Sequence, residues 1–407
     1  MEPSLGWTLL SRDALRRAET QLRDDVEGVR DEVGFLALHQ AYADRFFPGT
    51  SVLHTRLRYV LFVPWMYERV AMHSPRDRVV EQLQKEELEL TRRLRHLGAK
   101  HGVIGFRNYP KPTAQPPSMI YWSALSAWRI LKPLASGAAP SRQTVHRAIA
   151  RRGPRHQLHD DDKQLLVEEE PLFGSLPRPP DEWHSAKEPL DFELQPAERR
   201  FLRNCFLTVS HPNSTSTLSL LARLVEHQVQ LSNRDTLWSK KVVKVADAPD
   251  SAALTRARQA AALSAIGRGV YAAMVEEMRE RHDGLATEDK HRGNLVAVCD
   301  THSKAAMALN VDEIVIDAPK MPEGIVEVLR RTQEWLAGNR LDVMALHDIY
   351  ERAEYRRKGR RARLIKSVAG REKRAEWTPT DSAAAEPLHY RWQQVRQLLM
   401  DLQGAHE

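Results

Sequence analysis

The sequence predicts a mainly α fold with two helical domains and a few short strands. Apolar residues recur at spacings of three and four along most of the chain, as on one face of a helix. Glycine, proline and capping residues bound many of these stretches. Only residues 311–317 (VDEIVID) alternate β-branched and polar residues as a half-buried strand does. The composition, 42% hydrophobic and 28% charged over 407 residues, is that of an ordinary globular protein.

The predicted helices share a periodic apolar face and end near glycine, proline or a polar cluster. In chain order they cover residues 11–27, 35–47, 75–97, 119–131, 141–152, 196–209, 213–230, 251–281, 321–336, 341–357 and 388–402, with 11–27 predominantly polar and 75–97 starting after a Ser74 cap. The longest of them, 251–281, is rich in alanine, which has the highest intrinsic helix propensity.

A change of composition divides the chain. Residues 156–190 are first acidic and then rich in proline, which is typical of a linker or a long loop. We therefore expect an N-terminal helical domain over residues 1–155 and a C-terminal helical domain over residues 191–407.

The compartment is predicted from what the sequence lacks. No basic and apolar leader precedes the first helix, and no stretch approaches the ~20 apolar residues of a membrane span. The two cysteines, Cys205 and Cys299, have no metal-binding spacing and suit free thiols in a reducing compartment. We expect a cytoplasmic protein that binds no membrane, no metal and no cofactor.

The positive charge is concentrated in one segment. The formal net charge is +7, but residues 351–374 contain eleven Lys or Arg and three acids, so this segment carries +8 and the rest of the chain −1. A local excess of this kind attracts polyanions.

The sharper interpretation of this segment is contact with the phosphate backbone of DNA or RNA, independent of base sequence. The residues predicted to make this contact are Arg356, Arg357, Lys358, Arg360, Arg361, Arg363 and Lys366. Trp377 could stack on a base, although a lone tryptophan is more often part of a core. The alternatives are a solvated surface run or a face that docks an acidic partner.

Residues 47–65 (FPGTSVLHTRLRYVLFVPW) carry a family resemblance. This segment resembles the signature of a bacterial family of unknown function, numbered 6361 among the domains of unknown function, with His54 where the family pattern has glutamine. The resemblance supplies no activity and no site residues. It implies a genetic context, antiphage defence islands, in which helicases and phospholipase-D-like nucleases are the expected partner proteins.

Arg56 and Arg58 lie inside the otherwise apolar part of this signature. A guanidinium among apolar residues must be paired or reach water, because an isolated buried charge costs several kcal/mol or more. The two arginines therefore predict either a structural ion pair or an anion site for phosphate.

Two other segments offer weaker candidates. Residues 120–152 contain two predicted helices, the second beginning SRQTVHR, but their connection is longer than the 3–4 residues of a helix-turn-helix. Asp283 with Glu288, Asp289 and Lys290 has the composition of a metal-dependent nuclease site, a pattern that also arises by chance.

No recognised catalytic motif is present, so the sequence assigns no catalytic residue. The leading hypothesis is a non-catalytic, nucleic-acid-associated accessory subunit of a bacterial defence system. The alternatives are an enzyme with an unfamiliar site, such as a nuclease or nucleotide hydrolase, and a protein–protein scaffold.

Overall fold

The structure, a computed structural model, describes residues 33–73, 78–152, 171–212, 214–287, 290–338, 342–377 and 385–404. Its helices are α1 (Phe35–Phe46), α2 (Tyr59–His73), α3 (Val79–Leu94), α4 (Pro117–Ile120), α5 (Trp122–Ala127), α6 (Arg142–Arg152), α7 (Asp181–His184), α8 (Pro196–Leu207), α9 (Leu220–Glu226), α10 (Lys240–Val243), α11 (Ala248–Arg281), α12 (Lys290–Met307), α13 (Ile314–Asp317), α14 (Glu323–Ala337), α15 (His347–Lys358), α16 (Val368–Ala375) and α17 (Trp392–Gln403). Two strands, β1 (Ser210–His211) and β2 (Ser214–Leu218), pair antiparallel. Short 3-10 turns cover Arg95–Leu97, Ala99–His101, Val311–Glu313, Val343–Leu346 and Gly359–Arg361.

The prediction of a mainly α fold is confirmed, and within the described ranges β1 and β2 form the only sheet. The helix predicted over 213–230 is wrong in its first part, where the Ser- and Thr-rich residues 214–218 form β2 and helix α9 begins only at Leu220. The helix predicted over 119–131 is broken at Tyr121 into α4 and α5. The helix predicted over 11–27 lies outside the described residues. No helix in the described ranges is long and apolar enough to span a membrane.

The chain divides into two compact units that each combine distant parts of the sequence. Unit 1 comprises Met1–Arg45 and Leu237–Tyr390, and unit 2 comprises Phe46–Thr236 and Arg391–Glu407. In the described part of the predicted linker, Phe173 and Trp183 are buried. A division of the chain at residues 156–190 stays a prediction.

Helix α11 forms the centre of unit 1. Asp247 caps its first turn by accepting the Asp250 N–H at 2.9 Å. From Ala260 to Met278 every residue of the helix is buried, as expected for a helix surrounded by neighbours. Gly267 shows how close these neighbours are, because a Cβ there would lie 2.5 Å from the Phe35 ring. Helices α12, α14 and α16 pack against α11.

The strand predicted over residues 311–317 is wrong, and these residues form a 3-10 turn followed by α13. The buried side chains are Val311, Ile314 and Asp317, each three positions apart, whereas Val315 and Ile316 are exposed. Burial therefore follows a helical spacing. The carboxylate of Asp317 accepts hydrogen bonds from the Tyr42 hydroxyl at 2.9 Å and from Nε and Nη2 of Arg256, both at 2.7 Å. These bonds fix the end of the helix.

In unit 2, helix α2 is deeply buried, since every residue from Tyr59 to Tyr67 is buried. An aromatic cluster packs on it. The Trp183 ring stacks on Phe62 at a centroid distance of 5.6 Å, and Phe192 lies 5.3 Å from the Tyr59 ring. Helices α8 and α9 pack together in the same unit, and α17 packs against α8.

Candidate functional site

The basic segment 351–374 begins on α15, passes through the 3-10 turn Gly359–Arg361 and ends on α16. Gly359 ends α15 with a φ of +56°, a conformation that glycine adopts without strain. Ser367 caps α16 by accepting the Gly370 N–H at 3.2 Å. All eleven cations of the segment belong to unit 1 and are described.

One buried carboxylate, that of Glu354, folds the segment back on itself. Glu354 is 0% exposed and accepts the Tyr271 hydroxyl at 2.6 Å and the Lys358 ammonium at 3.0 Å. Its other oxygen accepts the backbone N–H groups of Arg363 and Leu364, both at 2.9 Å. The bend after α15 is thus held by four hydrogen bonds to a single acid.

A second anchor is Arg374, which is 0% exposed although it belongs to the basic segment. Its guanidinium donates to both oxygens of Asp283, at 2.6 and 2.7 Å. It also donates to the carbonyl of Ile365 at 2.9 Å and to that of Arg363. The bonds from Arg374 lower the pKa of Asp283. Arg374 is therefore a structural cation.

The other cations of the segment are displayed to different extents. Lys358, Arg363 and Lys373 are half-buried, and Lys358 also lies over the Tyr271 ring at 5.6 Å. Seven are exposed: Arg352, Arg356, Arg357, Arg360, Arg361, Lys366 and Arg371. Arg371 donates to the backbone carbonyl of Asp283 at 3.3 Å, and four others have no acid of the described ranges as an ion-pair partner. These four, Arg352, Arg356, Arg360 and Lys366, are called the cationic surface below.

Arg352 and Arg356 lie one turn apart on the same face of α15. Arg360 follows four positions later in the 3-10 turn, and Lys366 lies just before α16. Of the seven residues predicted from the sequence, Arg356, Arg360 and Lys366 thus belong to the cationic surface, and Arg357 and Arg361 are exposed beside it. The Lys358 ammonium is paired with the Glu354 carboxylate, and Arg363 donates its backbone N–H to the same carboxylate. Trp377 is buried, its ring centroid 5.1 Å from that of His291.

Arg56 and Arg58 of the signature are both paired within unit 2. The Arg56 guanidinium donates through Nε to both oxygens of Asp401 at 3.0 Å, and Nη2 lies 2.9 Å from Oδ1. The Arg58 guanidinium binds Glu198 at 2.9 Å and Asp191 at 2.7 Å. This geometry favours the structural ion pair over the anion site, because both guanidinium groups are already bound to carboxylates of the protein.

The rest of the signature is held by buried polar contacts. The Tyr121 hydroxyl accepts the N–H groups of Thr55 and Arg56 at 2.9 and 3.1 Å and donates to the Arg56 carbonyl at 2.8 Å. The His54 ring stacks on Tyr121 at 4.3 Å, and its Nε2 lies 3.2 Å from the Ile120 carbonyl oxygen. Burial lowers the pKa of His54 from 6.5 to about 3, so the ring is neutral.

The two weaker candidates are located as follows. Asp283 is the buried partner of Arg374, while Glu288 and Asp289 lie outside the described residues. Residues 128–141 separate α5 from α6, and the α6 guanidinium of Arg142 donates to the Ser118 hydroxyl at 2.8 Å. This connection is longer than the 3–4-residue turn of a helix-turn-helix.

One group of potential metal ligands was not predicted from the sequence. His347, Asp348 and Glu351, in the first turn of α15, place one ligand atom each within 4.8 Å of one another. The signal was present, because His and Glu four positions apart share one face of a helix.

Comparison with known proteins gives one match. The model of a family described as "Family of unknown function (DUF6361)" matches residues 3–307. No curated protein and no solved structure matches the chain. The matched residues include the signature 47–65, and they end before the basic segment.

Proposed function

The chain belongs to this family of unknown function, as its signature predicted, and we propose that its cationic surface binds the phosphate backbone of a nucleic acid. The observation that supports this is the display of Arg352, Arg356, Arg360 and Lys366, all exposed and none paired with an acid of the described ranges. Exposed guanidinium groups bind phosphate oxygens bidentately and release condensed counterions when they do so.

The same residues explain why sequence-independent binding is proposed. Phosphate contacts position a protein on nucleic acid, whereas base sequence is read by side chains placed in a groove. Gln143 and Arg147 on α6 are exposed, but the long connection before α6 differs from that of a recognition helix. The binding proposed here depends on charge and therefore on salt concentration.

We further propose that the protein acts as a non-catalytic accessory subunit with partner proteins of a defence system, such as a helicase or a phospholipase-D-like nuclease. This part rests on the family resemblance alone. Purification of the tagged protein from its native host, followed by identification of the co-purifying proteins and nucleic acids, tests it. Recovery of no such partner at native expression levels would contradict it.

The phosphate-binding proposal is tested by fluorescence anisotropy with labelled duplex DNA, single-stranded DNA and RNA at several salt concentrations. With four phosphate contacts to duplex DNA, the logarithm of the binding constant should fall with a slope of about −3.6 against the logarithm of salt concentration. The variant Arg352→Glu, Arg356→Glu, Arg360→Glu and Lys366→Glu should weaken binding at low salt by about 100-fold or more.

A matched control separates the surface from the net charge. Lys85, Lys100, Lys132 and Arg200 are exposed residues of unit 2, and their replacement by glutamate changes the net charge by the same amount. This control should retain most of the affinity. Equal binding by the two charge-reversed variants, or no binding by the unaltered protein at low salt, would exclude the cationic surface as the contact.

A further inference from the structure

The first turn of α15 brings together one histidine and two acids. His347 Nδ1 lies 3.5 Å from an oxygen of Asp348 and 3.5 Å from an oxygen of Glu351. The two acids follow the histidine by one and four positions, so a single helical turn carries all three ligand atoms. None of the three residues belongs to the cationic surface.

The orientation of the imidazole is fixed from the other side. His347 is 5% exposed, and its Nε2 lies 3.0 Å from the carbonyl oxygen of Leu364. A carbonyl oxygen only accepts, so Nε2 carries a proton, and Nδ1 is the ring nitrogen that faces the two carboxylates. Metal-binding histidines are typically held this way, with the second ring nitrogen donating to a backbone carbonyl.

Three electron-pair donors that face one another can share either a proton or a metal ion. A hydrogen bond from a protonated Nδ1 to a carboxylate would be about 2.7–2.9 Å long, shorter than either 3.5 Å separation. Two ligand atoms bound to one tetrahedral ion, each at about 2.1 Å, lie about 3.4 Å apart. The two distances to Nδ1 are close to this separation.

The three ligands also define the kind of metal and the accessibility of the site. An imidazole with two carboxylates favours Zn²⁺ or Mn²⁺ over Ca²⁺, which prefers six or more oxygen ligands. The Asp348 side chain is 97% exposed, so the site opens to water on that side. Three protein ligands with an open fourth position are typical of metal sites that exchange a water molecule or bind a ligand.

We propose that His347, Asp348 and Glu351 bind one divalent metal ion of the Zn²⁺ or Mn²⁺ class, with Nδ1 of His347 as the buried ligand and at least one coordination position open to solvent. This proposal does not depend on the proposed nucleic-acid contact, because it is tested without nucleic acid. The site lies at the amino-terminal end of the helix that carries Arg352 and Arg356.

The test is isothermal titration of the metal-free full-length protein with ZnCl₂ and, separately, with MnCl₂ and CaCl₂. The unaltered protein should take up one equivalent of Zn²⁺ that the Asp348→Asn, Glu351→Gln variant lacks or binds at least about 10-fold more weakly. These two acids are exposed or half-exposed, so the variant should fold. The control is Asp181→Asn, Glu193→Gln, which removes the same charge from exposed acids of unit 2.

A spectroscopic measurement identifies the buried ligand. Co²⁺ bound at the site should give visible absorption bands of a tetrahedral nitrogen and oxygen environment, and His347→Gln should abolish them while Asp181→Asn, Glu193→Gln leaves them unchanged. Identical Zn²⁺ uptake by the unaltered protein and the Asp348→Asn, Glu351→Gln variant would overturn the proposal. The absence of any metal uptake would overturn it as well, and would mean that these atoms share only a proton.

Discussion

The signature of unit 2 and the basic segment of unit 1 are both rich in arginine, yet they place these side chains in opposite ways. The side chain of Arg58 is 4% exposed and faces Glu198, which is 2% exposed. Arg352, Arg356 and Arg360 are exposed and have no acid partner within the described ranges. The residue type is the same, and the difference lies in whether the fold supplies a buried carboxylate.

This difference separates arginines that maintain the structure from arginines that can meet a ligand. A guanidinium paired in the interior is neutralised by a carboxylate and shielded from a polyanion, whereas an exposed one keeps its N–H donors available. Arg374 shows that the distinction is made residue by residue. It belongs to the basic segment by sequence, but its pairing with Asp283 resembles that of Arg58 with Glu198.

Breaking the buried pair of the signature should have the largest effect. Arg58→Met leaves the Glu198 carboxylate buried without its guanidinium, and the loss of one partner of a buried pair costs about 3–5 kcal/mol. Urea denaturation followed by circular dichroism measures the change in the free energy of unfolding. Arg352→Met, an exposed arginine of the other region, is the control and should change it by less than about 0.5 kcal/mol.

The double variant Arg58→Met, Glu198→Gln distinguishes an ion pair from simple packing. Removing the second charge should restore part of the lost stability, because no carboxylate then remains buried without a cation. An equal loss in the single and double variants would show that the aliphatic part of Arg58, rather than its charge, stabilises the signature.

An intermediate effect, dependent on pH, is expected from His54. The pKa of this buried ring is about 3, against 6.5 in the unfolded chain. Below pH 6.5 the unfolded chain takes up a proton that the folded protein excludes, so stability is complete above that pH and is lost as the pH falls towards 3. At pH 5 the loss amounts to about 2 kcal/mol.

His54→Gln, which introduces the residue of the family pattern, should remove this dependence. The measurement is the free energy of unfolding at pH 8 and at pH 5 for the variant and the unaltered protein. The difference between the two proteins should change by about 2 kcal/mol between these pH values. His101→Gln, at an exposed position, is the control. A variant with the same pH dependence as the unaltered protein would show that His54 is not buried as a neutral ring.

The comparison also shows which parts of the structure a single sequence can predict. Helix α11 was predicted nearly to its ends because its alanines and its apolar residues at helical spacing act locally, although it begins three residues earlier than predicted, after the capping Asp247. The strand over 311–317 was wrong because β-branched residues favour strands only in general, and here the bonds of Asp317 to Arg256 and Tyr42 favour a helical turn.

The pairing of the arginines could not be predicted, because it depends on contacts between distant positions. Asp401 follows Arg56 by 345 positions, and Asp283 precedes Arg374 by 91. No local pattern connects such residues. The basic segment could be located by counting charges, but which cations point outward required the positions of Glu354 and Asp283. Lys358 follows Glu354 by four positions, one helical turn. This spacing indicates in the sequence that the Lys358 ammonium is paired.

Replacing a single exposed arginine should change the free energy of unfolding least, while it should clearly change the binding of DNA. Arg352→Gln keeps a long polar side chain on α15 and removes one charge from the cationic surface, so the free energy of unfolding should stay within about 0.5 kcal/mol of its original value. The salt dependence of DNA binding should become less steep by about one unit of slope, because one phosphate contact is lost.

Lys85→Gln provides the matched control, since it removes one exposed charge from α3 in unit 2. It should change neither the stability nor the slope, because Lys85 is exposed and is not one of the four residues proposed to contact phosphate. If both variants reduce the slope equally, then binding follows the net charge of the whole protein. Arg352 would then contribute to DNA binding no more than any other surface cation. If only Arg352→Gln does so, the two regions differ in function as they differ in pairing.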